Sequence, residues 1–226
     1  MKYKSIILDI DNTLYNYNVP HKKALQTVFD FCYDKFDIDQ NLLLKFYTKA
    51  RKEVHIELEN TASSHNRLLY FQRMCELVGV NPLNYSFIIY NLYWDTFLEN
   101  MIPFKNVYQL LEKYKENICL LTDLTADIQF RKTKKLKLNI YCNKIVTSEE
   151  AGIEKPNPQM FILALKKLNL KESDVCMIGD NFSKDIIGAR NLNIDAIWFN
   201  HEENKESYND NKIAEVKTIN EILSLV

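Results

Sequence analysis

Glycine is scarce in this chain, with four residues among 226. These glycines form neither the GxGxxG loop of dinucleotide-binding folds nor the GxxxxGK[ST] loop that cradles a nucleotide triphosphate, so the sequence excludes both classes of site. Their rarity makes their positions informative. Gly152, Gly179 and Gly188 all fall beside the motifs described below.

Cysteine is also infrequent, and no two cysteines are close enough in sequence to form a CxxC pair. The five residues are Cys32, Cys75, Cys119, Cys142 and Cys176. Their odd number and wide separation argue against a disulfide framework and against a structural zinc site. We therefore expect unpaired thiols that pack as small hydrophobic groups in a reducing compartment.

The chain has no excess charge of either sign and no long apolar run. Lysine and arginine number 29 against 30 acidic residues, which gives a formal net charge of −1. A basic face for nucleic acid or for an anionic membrane is therefore not expected. No run approaches the length of a membrane span, and residues 1–5 show no signal-peptide pattern. We expect a cytoplasmic monomer or homodimer that binds neither nucleic acid polymers nor membranes.

Short apolar runs alternate with helical periodicity at the start of the chain and again after Pro103. The predicted strands are Ser5–Leu8, Ile118–Leu121, Lys144–Val146, Val175–Ile178 and Ala196–Phe199. The predicted helices between them are Val107–Tyr114, Ile128–Leu136, Gln159–Leu168 and Lys184–Leu192. This alternation predicts an α/β fold, a Rossmann-like parallel sheet with helices on both faces. Residues 201–211 are predicted to form a polar loop, and residues 212–226 a last strand and helix.

A helical segment interrupts this pattern between the first and second strands. Apolar and aromatic residues recur at spacings of three and four from about Asn16 to Asn100, without a convincing strand. We therefore predict two domains, a Rossmann-like core formed by residues 1–15 and 101–226 and an inserted helical cap formed by residues 16–100. An insertion at that point is expected to act as a lid.

Two acids follow the first apolar run, in the sequence Ile6-Ile7-Leu8-Asp9-Ile10-Asp11-Asn12-Thr13. Ligands of open α/β sheets bind beyond the carboxyl ends of the strands. Two carboxylates at that place repel each other unless a positive charge, usually a divalent metal, lies beside them. Asp9 is then a candidate nucleophile or metal ligand and Asp11 a candidate proton donor and acceptor. Acids of this kind can also be ordinary loop or helix-capping residues.

Two further candidates lie at the ends of later strands. Thr122, followed by Asp123, ends the second strand, where its hydroxyl group can bind a phosphoryl oxygen or simply close a turn. Lys155 precedes Pro156 and an Asn-Pro helix start, which places it on an ordered loop just before a helix. It can pair with a phosphoryl group and with the carboxylates, or it can be a solvated surface lysine.

The segment Gly179-Asp180-Asn181-Phe182-Ser183-Lys184-Asp185 again places an acid directly after a strand. Mg²⁺ prefers oxygen ligands and few protein groups, so Asp9, Asp180 and a carbonyl of the first loop are sufficient to hold it. Asp185 can contact the same ion through water or hold Lys155. It can also be a helix N-terminal acid favoured by the helix dipole.

The order of these features resembles the four motifs of the haloacid dehalogenase superfamily of phosphohydrolases. The matching segments are Asp9–Leu14, Thr122, Lys155-Pro156 and Gly179–Asp185, and the resemblance extends from Ser5 to about Phe199. The helical insertion resembles the α-helical cap of that superfamily. The Asp-Asn-Thr-Leu-Tyr sequence within the first motif is similar to its nucleotidase-like members.

The resemblance implies a mechanism and a role for each motif residue. Asp9 attacks phosphorus and Asp11 acts as general acid and base, so the pKa of Asp11 is expected to lie above its ordinary value. Mg²⁺ is implied as the cofactor, held by Asp9, Asp11 and Asp180, with Asp185 behind them. Thr122, Asp123 and Lys155 are implied to bind the phosphoryl group. Many relatives have Asn where this chain has Asp123, so we expect that side chain to turn toward the backbone.

The implied activity is hydrolysis of a small phosphomonoester, a nucleoside monophosphate or a sugar phosphate. In the cap, His65 and Arg67 are candidate contacts for the leaving group, or members of a solvated helix face. A phosphosugar mutase and a non-catalytic binding or regulatory protein remain open alternatives. A dehalogenase requires neither Asp11 nor a metal, so the intact acids argue against it. No lysine of the insertion suggests a phosphonatase.

Overall fold

The computed structural model describes residues 2–202 and 212–226 and divides into two compact units. Unit 1 comprises Met1–Asn16 and Ile102–Val226, and unit 2 comprises Tyr17–Met101. Each boundary between the two units therefore lies one residue from the domain boundary that the sequence predicts. Most of the predicted polar loop at residues 201–211 lies outside the described residues.

Unit 1 contains a six-stranded sheet in which all neighbouring strands are parallel. The strands are β1 (Ser5–Leu8), β2 (Ile118–Thr122), β3 (Lys144–Thr147), β4 (Val175–Gly179), β5 (Asp195–Phe199) and β6 (Ile213–Val216). Their order across the sheet is β3-β2-β1-β4-β5-β6, so the direction of winding reverses between β1 and β4. The predicted Rossmann-like α/β fold is confirmed, and β6 is the last strand expected from the C-terminal segment. The crevice beside such a reversal is the usual ligand site of an open parallel sheet.

The helices are α1 (Asn18–Phe36), α2 (Gln40–Glu57), α3 (Arg67–Val78), α4 (Pro82–Glu99), α5 (Val107–Lys113), α6 (Ala126–Lys135), α7 (Ser148–Ala151), α8 (Pro158–Leu168), α9 (Ile187–Arg190) and α10 (Ile219–Leu225). One predicted helix differs from the structure. Lys184–Leu192 was expected to be a single helix, but Phe182–Ile186 forms a π-helical turn before α9. The amide of Ile186 is 3.4 Å from the carbonyl oxygen of Asn181, five residues earlier. Turns of this width are frequent at functional sites, and this one contains Asp185.

The core of unit 1 forms because the central strands are buried on both faces, as expected for a parallel sheet covered by helices. Helix α8 buries a stripe at helical spacing against one face, formed by Met160, Phe161, Ala164 and Leu165. Gly188 permits close packing here, since a Cβ atom at that position would lie 2.6 Å from the Phe161 ring. The packing of α8 and α9 thus fixes the loops that precede them.

Unit 2 consists of helices α1 to α4 and a short 3₁₀ turn at Ala62–His65. Side chains of Asp39, Asn66 and Asn81 cap the starts of α2, α3 and α4 by accepting backbone N–H groups. Its interior is an aromatic cluster, which includes Tyr47, Tyr70, Phe71, Tyr93, Trp94 and Phe97. Among the described residues, no helix is both long enough and apolar enough to cross a membrane.

The five cysteines generate a direct test of the fold. All are unpaired and buried, as expected from the sequence. Burial raises the pKa of the Cys119 and Cys176 thiols to about 12, so the reactive thiolate is rare at neutral pH. We predict that the folded protein resists iodoacetamide at pH 8, and that all five thiols react after unfolding in guanidinium chloride, as counted by mass spectrometry. Rapid labelling of Cys119 or Cys176 in the folded protein would contradict this packing.

Candidate active site

The candidate site lies in unit 1, where β1, β2 and β4 end at the same edge of the sheet. Leu8 of β1 is level with Leu120 of β2 and with Ile178 of β4. The residues just beyond these positions are therefore brought together, although 58 to 171 positions separate them in sequence. Asp9, Thr122 and Asp180 all lie at this edge.

Lys155 is buried among acids and is not a solvated surface lysine. Only 4% of the residue is exposed, and its Nζ lies 2.7 Å from Oδ1 of Asp9 and 2.7 Å from Oδ1 of Asp185. It also donates to the carbonyl oxygen of Leu121 at 3.2 Å. Burial alone lowers the pKa of Lys155, but Asp185 and Asp9 outweigh burial and raise it well above the ordinary value. Lys155 is therefore a fixed positive charge in contact with the candidate nucleophile.

Three carboxylates converge beside this lysine. One oxygen each from Asp9, Asp180 and Asp185 lie within 4.8 Å of one another. Burial, and then the charge of Asp9, raises the pKa of Asp180 to about 7. Burial also raises the pKa of Asp9 to about 7, even though Lys155 opposes that shift. The directions of these shifts indicate that one ammonium group does not balance the charge of two buried carboxylates and a half-buried one.

Such a set of oxygen ligands fits a hard divalent cation. Mg²⁺ binds carboxylate oxygens, tolerates few protein ligands and retains water molecules. A cation at Asp9 and Asp180 would supply the positive charge that this cluster lacks, and Asp185 already accepts two hydrogen bonds. Those bonds come from Lys155 Nζ at 2.7 Å and from the amide of Asn181 at 3.0 Å. Of the alternatives for Asp185, holding Lys155 is the one that the structure shows.

The loop after β1 orients two of the three acids of the cluster, Asp9 and Asp180. The Thr13 hydroxyl donates to Oδ2 of Asp9 at 2.8 Å and accepts the amide N–H of Asp180 at 3.1 Å. Asn12 adopts a left-handed conformation, with φ of 64°, and its side-chain amide donates to Asp180 at 2.9 Å. A Cβ atom at Gly179 would lie 2.4 Å from the Asp185 carboxylate, so only glycine lets that acid pack against β4.

Asp11 has a different environment from the one that we expected. Its two carboxylate oxygens lie 2.6 and 2.7 Å from Nζ of Lys132, and they also accept from Gln129 at 3.0 Å and from the Tyr15 hydroxyl. Burial raises the pKa of Asp11, but Lys132 and these donors outweigh burial and lower it. The expected upward shift was therefore wrong for this arrangement. The Asp11 side chain is also separate from the three clustered carboxylates that could hold a metal.

Thr122 and Asp123, at the end of β2, contact other groups of the site. Oδ1 of Asp123 accepts the backbone N–H of Lys155 at 3.0 Å, and Oδ2 lies 3.0 Å from Nζ of Lys184. The side chain of Asp123 thus holds the loop that contains Lys155. The main chain of Asp123 is not used in these two contacts, so it can contact a phosphate. Thr122 is 1% exposed, and its hydroxyl contacts the carbonyl oxygen of Asp123 at 3.3 Å.

Sequence reasoning missed the group that surrounds Asp11. Lys132 and Gln129 lie three residues apart on α6, and both have no exposed surface. Lys132 belongs to a run of basic residues with Lys134 and Lys135, so composition gives no reason to single it out. The signal that would have found it is position, because Lys132 shares one face of a helix with two residues from the predicted apolar stripe, Ile128 and Leu136.

In unit 2, the two proposed leaving-group contacts differ in burial. His65 is half-buried on the 3₁₀ turn, with its ring centroid 4.7 Å from that of His55. Arg67 is 6% exposed, so the alternative of a solvated helix face is wrong for this residue. Its guanidinium group lies among tyrosine rings.

Comparison with characterised proteins supports the same family throughout. Residues 6–199 match the model of the haloacid dehalogenase-like hydrolase family. The ribulose-1,5-bisphosphate 5-phosphatase of Halopiger xanaduensis is 32% identical over 208 residues, which cover 90% of this chain and 87% of that protein. The pyrimidine 5′-nucleotidase YjjG of Escherichia coli is 28% identical over 215 residues, which cover 91% of each chain.

The fold has close relatives among solved structures. The crystal structure of a haloacid dehalogenase phosphatase from Thermococcus onnurineus superposes with a TM-score of 0.77 at 20% identity, over all of this chain and 97% of the other. The four strand-end motifs, the fold and the family match over most of the sequence all agree. This chain belongs to the haloacid dehalogenase-like hydrolase family.

Proposed function

We propose that this protein is a magnesium-dependent phosphomonoester hydrolase that acts on a small phosphorylated metabolite through an aspartyl-phosphate intermediate. The observation that carries the proposal is the way in which both carboxylate oxygens of Asp9 are held. Each of its carboxylate oxygens has one fixed partner, Lys155 on Oδ1 and Thr13 on Oδ2, at 2.7 and 2.8 Å. A nucleophile held in this way is oriented before a substrate arrives.

The proposed reaction has two steps. A carboxylate oxygen of Asp9 forms a bond to phosphorus as the bond from phosphorus to the ester oxygen breaks, and Asp11 gives a proton to the departing alcohol. Asp11 then takes a proton from a water molecule, whose oxygen attacks phosphorus and breaks the acyl-phosphate bond to Asp9. Inorganic phosphate and an unchanged enzyme result.

Positive charge around the phosphoryl group lowers the barrier in both steps. Lys155 supplies one charge, and Mg²⁺ bound at Asp9 and Asp180, with Asp185 beside them, would neutralise further charge on the phosphoryl oxygens. Thr122 and the main chain at Asp123 lie at the same strand ends and are proposed to donate hydrogen bonds to that group. The buried carboxylates, two of which have pKa values raised to about 7, are the part of the structure that favours a cation.

Lys132 is proposed to set the starting position of Asp11. In the structure its ammonium group binds both oxygens of the Asp11 carboxylate, which keeps that side chain ionised and in one orientation. To act as an acid toward the leaving group, Asp11 must acquire a proton and exchange at least one of these contacts. The same pairing favours the ionised form that the second step requires.

The names of the relatives support the substrate class. One acts on a sugar bisphosphate and another on pyrimidine nucleotides, so both are phosphatases of small metabolites. We propose that this chain takes a substrate of that kind, a sugar phosphate or a nucleoside monophosphate, and no polymer. Within the family, Asp11 and Asp180 favour a phosphatase over a dehalogenase. Phosphosugar mutase activity remains an alternative, and the cytoplasmic location and the monomeric or homodimeric state remain predictions.

The proposed function predicts metal-dependent turnover. We expect wild-type protein to release phosphate from p-nitrophenyl phosphate and from a panel of sugar phosphates and nucleoside monophosphates with Mg²⁺, and to lose this activity in EDTA. Asp9→Asn should lower kcat by at least about 10³-fold, because it removes the nucleophile. The rate of phosphate release gives the dependence of turnover on Mg²⁺ and the kcat of the wild type and of the variant.

Asp127→Asn is a matched control, since Asp127 is an exposed acid that pairs with Arg131 on the surface of α6. This variant should keep wild-type activity. Absence of phosphate release by wild-type protein from every monoester would contradict the phosphatase proposal, and turnover by Asp9→Asn equal to wild type would contradict the assigned nucleophile.

A second prediction concerns Lys132. Lys132→Met removes the charge while keeping a long side chain, and it leaves Asp11 without its cation. The free energy of unfolding should fall by about 2 kcal/mol, below the usual cost of breaking a fully buried pair because Asp11 retains some exposure. Adding Asp11→Asn should restore part of that stability, as measured by denaturant unfolding. If the loss of stability in the double variant equals the sum of the losses in the two single variants, the pair is not coupled.

A further inference from the structure

Unit 2 contains a buried arginine that forms no ion pair with an acid among the described residues. The hydrogen bonds of Arg67 within the described chain go to neutral groups, the carbonyl oxygen of His65 at 2.8 Å and the hydroxyl of Tyr17. Its guanidinium carbon lies 5.1 Å from the ring centroid of Tyr70 and 5.9 Å from that of Tyr93. Buried cations are normally paired with an anion, so this charge is unbalanced.

Another arginine of the same helix shows the contrast. Arg73, also on α3, pairs with Glu53, Glu57 and Glu76 at 3.0 to 3.4 Å. Those acids belong to α2 and α3, and all three pair with Arg73, which lies near the surface. Acidic side chains are therefore available in unit 2, yet the buried arginine has none of them.

Two buried polar atoms near Arg67 have no hydrogen-bond partner among the described residues. They are Nε of Arg67 and the hydroxyl of Tyr47, whose residues are 6% and 3% exposed. Leaving such groups unsatisfied costs free energy, and the usual explanation in a natural protein is a ligand or water that binds them. One is a cationic donor and the other a neutral donor, which together suit an anionic oxygen.

The positive charges that act on this part of unit 2 come from arginines and not from histidine. The His21 ring donates or accepts at the Tyr93 hydroxyl, 2.6 Å away. Burial lowers the pKa of His21 to about 3, and the charges of Arg67 and Arg51 act in the same direction. Both arginines also lower the pKa of Tyr47, although burial outweighs them and raises it to about 12. Two arginine charges thus act on one set of aromatic hydroxyl groups.

We propose that Arg67 and the Tyr47 hydroxyl form an anion-binding site in unit 2, which takes a phosphate or carboxylate group of a small molecule. Arg67 supplies the charge and a planar set of donors suited to oxyanions, and Tyr47 supplies a neutral donor. The proposed ligand is a free small anion, so the site does not rest on the proposed function.

The binding test uses inorganic phosphate as the probe, in EDTA and at constant ionic strength against chloride, by calorimetry on the full-length protein. We expect saturable binding that weakens at least tenfold in Arg67→Gln and in Tyr47→Phe. Arg73→Gln is the matched control, since it removes an equal charge from the same helix and should bind phosphate like wild type.

Tyr47→Phe distinguishes a loss of phosphate binding from a loss of folding. Its hydroxyl has no partner in the structure, so removing it should leave the thermal midpoint of the phosphate-free protein unchanged or raised, while the stabilisation by phosphate falls. Absence of phosphate binding to wild type, or equal binding by wild type, Arg67→Gln and Tyr47→Phe, would overturn the proposal.

Discussion

The contact between Lys155 and the two acids Asp9 and Asp185 is the interaction on which the site depends. The ammonium group is buried, and it lies 2.7 Å from each carboxylate. Without it, Asp9, Asp180 and Asp185 would be three clustered acids with no ion pair to a cation among the described residues. Removing one partner of a buried pair leaves an uncompensated charge and commonly costs about 3–5 kcal/mol. The candidate nucleophile is therefore oriented in part by a residue 146 positions away, and the same residue opposes the rise in its pKa that burial causes.

The topology of the sheet explains how these distant residues meet. β1 lies between β2 and β4, so the loops after three strands reach the same edge. Each loop then contributes one kind of group: carboxylates after β1 and β4, and a hydroxyl at the end of β2. Lys155 comes from the loop before α8, which is held by the Asp123 side chain through the Lys155 amide. Packing of α8 against the sheet thus determines where the ammonium group lies.

The parts predictable from sequence are those that depend on local pattern. β1 was predicted with its observed bounds, because a short run of branched apolar residues that ends in acids has few other interpretations. The π-helical turn at Phe182–Ile186 was not, since Asp185 there bonds back to Asn181 and outward to Lys155, a tertiary requirement. For a related reason Lys132 was missed and one of the two interpretations of Arg67, a solvated helix face, was wrong. Charged residues are normally solvated, and only the three-dimensional arrangement shows that these two are buried.

The central claim is that Asp9 carries the phosphoryl group during turnover. The most direct measurement is to mix the protein with Mg²⁺ and its best phosphomonoester, quench in acid, reduce with sodium borohydride and analyse the peptides by mass spectrometry. Reduction converts an aspartyl-phosphate into homoserine. The account predicts homoserine at position 9, dependent on substrate and absent at Asp11 and Asp180. Substrate-dependent modification at another acid, with Asp9 unmodified, would contradict it.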